Sequence, residues 1–147
     1  MDILFSKGFQ IPQEIGGKST LGIIAEKDDE EILKYFIEKR TFNINYCDSY
    51  RRTPLIYTLR KEFGYAEKCF LYLLAKGADT NYEDEDGISA LQYACKTFLF
   101  DTDKEKLVRF KALIRHGADC QKFVKKGNRL IIQALKEIEH EKSVQEK

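Results

Sequence analysis

The sequence predicts an all-α solenoid of stacked helix–turn–helix units with short hairpin fingers, about three full units between terminal capping units. Three observations predict it. A polar junction recurs along the chain at nearly constant spacing, an apolar stripe of helical period precedes or follows each junction, and helix start and stop signals fall in phase with both. The clearest junction covers residues 76–91, where Gly77-Ala78-Asp79 closes one helix and Gly87, Ser89 and Leu91 lead into the next. Gly77 and Gly117 stand just past their helices, where a left-handed backbone costs glycine least.

Residues 42–55 align with that junction, and residues 117–131 repeat it more weakly. The positions that start the opening helices are Ser19, Thr53, Ser89 and Arg129, spaced 34, 36 and 40 residues apart. The lengthening implies insertions, about three residues around 61–65 and about seven around 98–103, each between the two helices of a unit, where a longer loop costs little.

The opening helices are expected at 20–26, 54–61, 90–98 and 130–139. Pro54 suits a first helical position, and Thr53 before it can cap the helix through its hydroxyl. The second helices are read from their stripes: Ile32, Leu33, Phe36 and Ile37 in the first unit, Cys69, Phe70, Leu73 and Leu74 in the next, Phe110, Leu113 and Ile114 in the third. A single helix with one apolar stripe cannot bury it alone, so each unit must stack on its neighbours. The last unit shows no second helix, and its opening helix is expected to run on through the charged segment 137–142 as a solvent-facing cap.

The pattern Gly-Ala-Asp-x-Asn-x-x-Asp-x-x-Gly-x-Ser-x-Leu resembles the junction between two ankyrin repeats, and the resemblance covers nearly all of residues 1–138. Leu4-Phe5-Ser6-Lys7-Gly8 resembles the close of a repeat and Gly17-Lys18-Ser19-Thr20-Leu21 the opening of the next. The resulting division is one domain over 1–147: a partial repeat at 1–16, repeats at about 17–48, 49–84 and 85–124, and a cap at 125–147. The resemblance implies that the junctions project as hairpin fingers which, with the first helix of each repeat, form a concave face that binds other proteins. Carried onto this chain, that face comprises Cys47, Ser49, Tyr50, Arg52, Arg60 and Lys61, then Glu83, Glu85, Asp86, Ile88, Lys96 and Thr97, then Phe123, Lys125, Lys126 and Asn128.

Charge and aromatic residues mark the same fingers. Glu83 to Asp86 place four carboxylates in one of them, whereas Arg51 and Arg52 on one side and Lys122, Lys125 and Lys126 on the other make its neighbours basic. Tyr46, Tyr50, Tyr82 and Phe123 lie among these charges, and tyrosine with arginine is a pairing enriched at interface hot spots. Tyr46 and Tyr82 share one repeat position and read as supports of the fingers.

Other chemistries find little footing. A net charge of +1 lacks the basic excess of a general nucleic-acid binder, so no direct nucleic-acid contact is expected. No window approaches the roughly 18 apolar residues of a membrane helix, and the first residues lack a signal peptide's basic start. The four cysteines, Cys47, Cys69, Cys95 and Cys120, form no CxxC pair, which points away from zinc and redox sites and toward a reducing, cytoplasmic location. Gly16-Gly17-Lys18-Ser19 lacks the first glycine of a phosphate loop. His116 and His140 have no triad or metal constellation in sequence, and His116 suits a helix C-terminus.

The expected function is therefore binding rather than catalysis, with no cofactor. The leading expectation is a stoichiometric inhibitor, similar to the ankyrin-type immunity proteins that neutralise bacterial toxins, whose acidic finger fills the basic cleft of a nuclease-like partner. In this reading the chain is a monomer, or a heterodimer with that partner. The alternative is an adaptor, or a host-targeting effector, that joins protein partners through a second surface.

Overall fold

The computed structural model describes residues 10–60, 65–96 and 102–145. The predicted partial repeat around Leu4 to Gly8 and most of both insertions lie outside the described residues, as do Lys61 and Thr97. A hairpin of β1 (Glu14–Ile15) and β2 (Lys18–Ser19) comes first, with Glu14 opposite Ser19 and Ile15 opposite Lys18. Gly16 and Gly17 turn it with φ of 57° and 76°, the positive values that a two-residue hairpin loop demands. The Gly-Lys-Ser run is thus a turn that delivers a helix cap.

Among the described residues eight helical segments follow: α1 (Thr20–Glu26), α2 (Glu30–Lys34), α3 (Pro54–Thr58), α4 (Glu67–Ala75), α5 (Ala90–Cys95), α6 (Asp103–Arg115), α7 (Gln121–Lys125) and α8 (Arg129–Gln145). Helix α2 continues as a π-helical turn over Tyr35–Lys39. Start signals act through their side chains. Ser19 Oγ accepts from Gly22 N at 3.2 Å, and Thr53 caps Ile56 N while Ser89 caps Gln92 N. In the last unit Arg129 has no acceptor to offer, so Asn128 takes the role, its Oδ1 accepting from Ile131 N at 3.1 Å.

Three expectations about boundaries need correction. Helix α3 stops at Thr58, where the Leu59 amide turns back to Ile56 and Tyr57, and Arg60 is no longer helical. Helix α5 ends at Cys95, since Lys96 is extended. Helix α8 runs to Gln145, past both 130–139 and the charged segment 137–142 through which it was expected to continue.

The core is one continuous cluster along the stack. Leu33 and Phe36, then Cys69, Phe70, Leu73 and Leu74, then Phe110 and Leu113 are buried, so the stripes face inward as their spacing predicts. They meet Leu21, Leu55, Ile56 and Leu91 from the opening helices and Ile131 and Ala134 from α8. A fully buried leucine contributes about 1.5–3 kcal/mol relative to an exposed one, and these residues come from every unit. Helix α8 packs on α6, where Lys111 Nζ reaches Glu137 at 3.0 Å and Glu141 at 2.8 Å and Arg115 also pairs with Glu141.

One cap crosses between units. Ala66, before α4, has no side-chain acceptor, and Asp28 Oδ1 accepts from Cys69 N at 3.0 Å from 41 residues earlier in the chain. Asp28 adopts φ 61° to do so.

Candidate protein-binding face

The fingers are built around two buried aspartates in equivalent repeat positions. Asp48 Oδ1 accepts from the amides of Tyr50 and Arg52, both at 2.9 Å, and its Oδ2 accepts from the Tyr57 hydroxyl at 2.5 Å and from Arg52 Nε at 3.0 Å. Asp84 does the same in the next finger, taking the Asp86 and Ile88 amides on Oδ1 and the Tyr93 hydroxyl on Oδ2 at 2.6 Å. Each carboxylate ties its loop to the following helix. Burial raises the Asp48 pKa, but the bonds from Tyr57 and Arg52 outweigh it and hold the carboxyl below its usual range. The Tyr93 phenol is pushed up to about 12 by burial and by Asp84.

The expected run of four exposed carboxylates therefore becomes three. Asp84 is 3% exposed and faces inward, which leaves Glu83, Glu85 and Asp86 on the outside of the finger. Glu83 lies 4.0 Å from Lys122, a loose pair between solvent-exposed groups.

A second device joins one finger to the next. Asn45 Oδ1 accepts from Asp79 N at 2.9 Å, and Asn81 Oδ1 accepts from Asp119 N at 2.7 Å, so each junction holds its successor. Within a junction the step is shorter, Asn81 N bonding Asp79 Oδ1 and Gln121 N bonding Asp119 Oδ1. Tyr46 donates to Glu14 at 3.2 Å, and the Tyr82 hydroxyl sits 3.3 Å from Cys47 Sγ, so both tyrosines reach back to the preceding finger. The Glu85 amide also bonds the Tyr50 carbonyl at 3.1 Å.

The basic residues are ordered by aromatic rings. Arg52 stacks on Tyr50 at 4.1 Å while bound to Asp48; Arg60 lies 5.6 Å from the Tyr57 centroid, and Lys96 lies 4.1 Å from that of Tyr93. Arg60 and Lys96 occupy the same place in successive repeats and remain exposed. Because Tyr57 and Tyr93 are bonded to the finger aspartates, these cations lie on the finger side of the opening helices.

The predicted residues thus divide. Tyr50, Arg60, Glu83, Glu85, Asp86 and Lys96 share the finger side and stay exposed, as does Ser49, whose hydroxyl donates to Glu14. Arg52 holds its own loop, half-buried Cys47 faces the next finger, half-buried Ile88 and Phe123 pack on the core, and Asn128 caps α8. Lys125 and Lys126 are exposed, but on and beside a helix rather than a hairpin. The physical reason is Val124, which stands at the repeat position of Asp48 and Asp84; without a carboxylate to organise the loop, the backbone closes its own helical bonds as α7.

Sequence reasoning missed the two Asp–Tyr pairs. The available signal was register, since Asp48 with Tyr57 and Asp84 with Tyr93 are separated by the same interval in successive units. His116 is the capping residue of α6, its Nδ1 2.8 Å from the Ala112 carbonyl oxygen, as its place before Gly117 suggests. Burial raises the Cys69 thiol to about 12 and the Cys95 thiol to about 11, out of the range of a reactive thiolate. Among the described residues no cluster of His, Cys, Asp and Glu could hold a metal ion, and no helix is long and apolar enough to cross a membrane.

Comparison with known proteins agrees with this architecture. A family model for ankyrin repeats, three copies, matches residues 2–84, more than half of the chain. An ankyrin repeat protein of Acanthamoeba polyphaga mimivirus is 36% identical over 85 residues, which is 58% of this chain but 18% of the viral protein. The chain therefore spans under a fifth of that relative's length. Paired helices, in-register fingers and the matched family model together place this chain in the ankyrin-repeat family, whose repeats are protein–protein interaction modules.

Proposed function

We propose that this chain captures another protein on its finger side and acts as a stoichiometric inhibitor, covering the partner's working surface. The observation that carries the reading is the acidic finger. Glu85 and Asp86 are exposed, their loop is fixed by Asp84, and neither carboxylate has a cation among the described residues. A preorganised, uncompensated negative tip suits a basic cleft of the kind that holds nucleic acid in a toxin nuclease, and complementary charge speeds capture and selects the partner. An immunity protein of this type would act in the cytoplasm, where its four free cysteines stay reduced.

Affinity capture of the full chain from its native cells, with mass spectrometry and sizing of the eluate, tests the reading. A single partner at one-to-one ratio, whose activity the chain blocks, is the expected result. Glu85→Lys with Asp86→Lys should weaken that complex at least about tenfold without lowering the thermal midpoint, because surface substitutions rarely disturb stability. Unchanged affinity in calorimetry would remove the acidic finger from the interface.

A second reading, an adaptor, has one observation in its favour. Leu71 on α4 and Val108 on α6 are 46% and 50% exposed on the second helices, away from the fingers. Several substoichiometric partners in the eluate would favour it.

A further inference from the structure

Among the described residues, three other than glycine take positive φ: Asp28, Thr41 and Arg51. Two have local reasons. Asp28 supplies the cap of α4, and Thr41 ends the helix that begins at α2, with Phe42 N bonding Phe36 O. Arg51 is different. It sits at φ 57° in a repeat position that is glycine in every other unit, Gly17 at 76°, Gly87 at 69° and Gly127 at 71°. The turn needs only the backbone there, since Arg51 N bonds the Asp48 carbonyl and glycine would make that bond without the cost an L side chain pays in the left-handed region.

The side chain is therefore retained against the preference of its own backbone, and it does not hold its own loop together. Arg52, next to it, turns inward to Asp48, whereas Arg51 points out of the finger and is exposed. Its guanidinium lies 5.7 Å from the Tyr82 centroid in the adjacent finger, and it forms no ion pair with a carboxylate among the described residues. The Tyr82 hydroxyl takes a hydrogen bond from this guanidinium, and because a guanidinium carries five N–H donors the exposed side chain keeps others with which to take a carboxylate in a bidentate grip. Strain that the fold does not require is a mark of binding sites.

We infer that Arg51, steadied by Tyr82, is a partner-contact residue that receives a carboxylate side chain of the bound protein. This rests on the reading that the finger side binds protein, and it adds to the acidic tip a basic anchor one finger away. The partner then presents an acidic group to Arg51 and basic groups to Glu85 and Asp86.

The test uses the isotope-labelled full chain titrated with two probes of equal charge, a blocked peptide carrying two glutamates among neutral residues and a short single-stranded oligonucleotide. Arg51→Gly is the variant, and its backbone relief gives a second readout. The expected result is that the peptide shifts the Arg51 Nε–H and Tyr82 ring signals saturably, that Arg51→Gly weakens this at least about tenfold, and that the same variant raises the thermal midpoint by about 2–4 °C. Arg51→Lys, which keeps charge without the fork, should retain only part of the binding.

A lowered midpoint in Arg51→Gly would overturn the inference by showing that the contact with Tyr82 is structural. Peptide binding that is absent, or unchanged in Arg51→Gly, would also overturn it, and so would equal shifts from the oligonucleotide, which would mark a general anion site. The parent reading fails separately, when the Glu85→Lys with Asp86→Lys variant leaves the captured complex unchanged.

Discussion

At the scale of single residues, the fingers depend on contacts between side chains far apart in sequence. Gly22, within α1, is one example. A Cβ there would lie 2.5–2.9 Å from three ring carbons of Tyr57, too close for any real contact. The ring cannot retreat, because its hydroxyl is bonded to Asp48 and arginines lie over its face. Alanine normally gains about 1 kcal/mol over glycine in a helix, but overpacking costs about 1–3 kcal/mol. Gly22→Ala should therefore lower stability in urea unfolding, against helix propensity; an increase would mean that Tyr57 can move. Asp48 gives a second prediction. Its folded pKa is below the unfolded value, so its contribution is complete above about pH 4 and is lost as acid takes the pH down through the folded value. The thermal midpoint of the parent should fall more steeply below pH 4 than that of Asp48→Asn, and parallel profiles would show that the bonds to Asp48 carry no net stability. Neither residue was legible as a support. Gly22 looks like an ordinary weak helix position, and Asp48, like its equivalent Asp84 in the next finger, looks like one more polar turn residue until the stack shows which side it faces.

At the scale of elements, legibility follows how local the cause is. Pro54, Ser19, Thr53 and Ser89 act on the helix that they begin, and those starts are placed correctly from sequence. Helix ends were less legible, since Thr58 and Cys95 end their helices with no glycine after them. The junction at 117–131 was misread as a finger because Gly117 and Gly127 are present while Val124 stands where Asp48 and Asp84 organise the other loops, and the missing carboxylate leaves the segment to close as α7. The cap on α4 was invisible for a different reason, the 41 residues separating Asp28 from Cys69. Asp28→Gly keeps the positive φ and removes only the acceptor, so it should cost about 1–2 kcal/mol, whereas Asp28→Asn should be nearly neutral. Urea midpoints of the two variants check this, and equal midpoints would mean that water caps α4 as well as Asp28 does.

At the scale of the whole molecule, stability in a solenoid is close to a sum of units and of the interfaces between neighbours, so a defect at one junction should be felt most on the side with less stack left to support it. Asn81 sits at such a junction. Its Oδ1 accepts from Asp119 N and its Nδ2 donates to the Gly117 carbonyl, both at the turn that leads to α7 and α8. Beyond that turn the C-terminal helix is held by Ile131, Ala134 and Ile138 and by exposed or partly exposed ion pairs with α6, which add little each. On the other side, α1 and α3 pack closely through Gly22 and Tyr57, and Asp28 ties α4 to the first unit. Asn81→Ala should therefore reduce amide protection in α6 and α8 by about tenfold, corresponding to the roughly 1–1.5 kcal/mol expected for lost hydrogen bonds, while α1 and α3 change much less. Native-state hydrogen exchange resolves the two ends directly. A uniform loss along the chain would mean that the molecule opens as one cooperative unit, and the finger ladder would then set global stability rather than the independence of its C-terminal end.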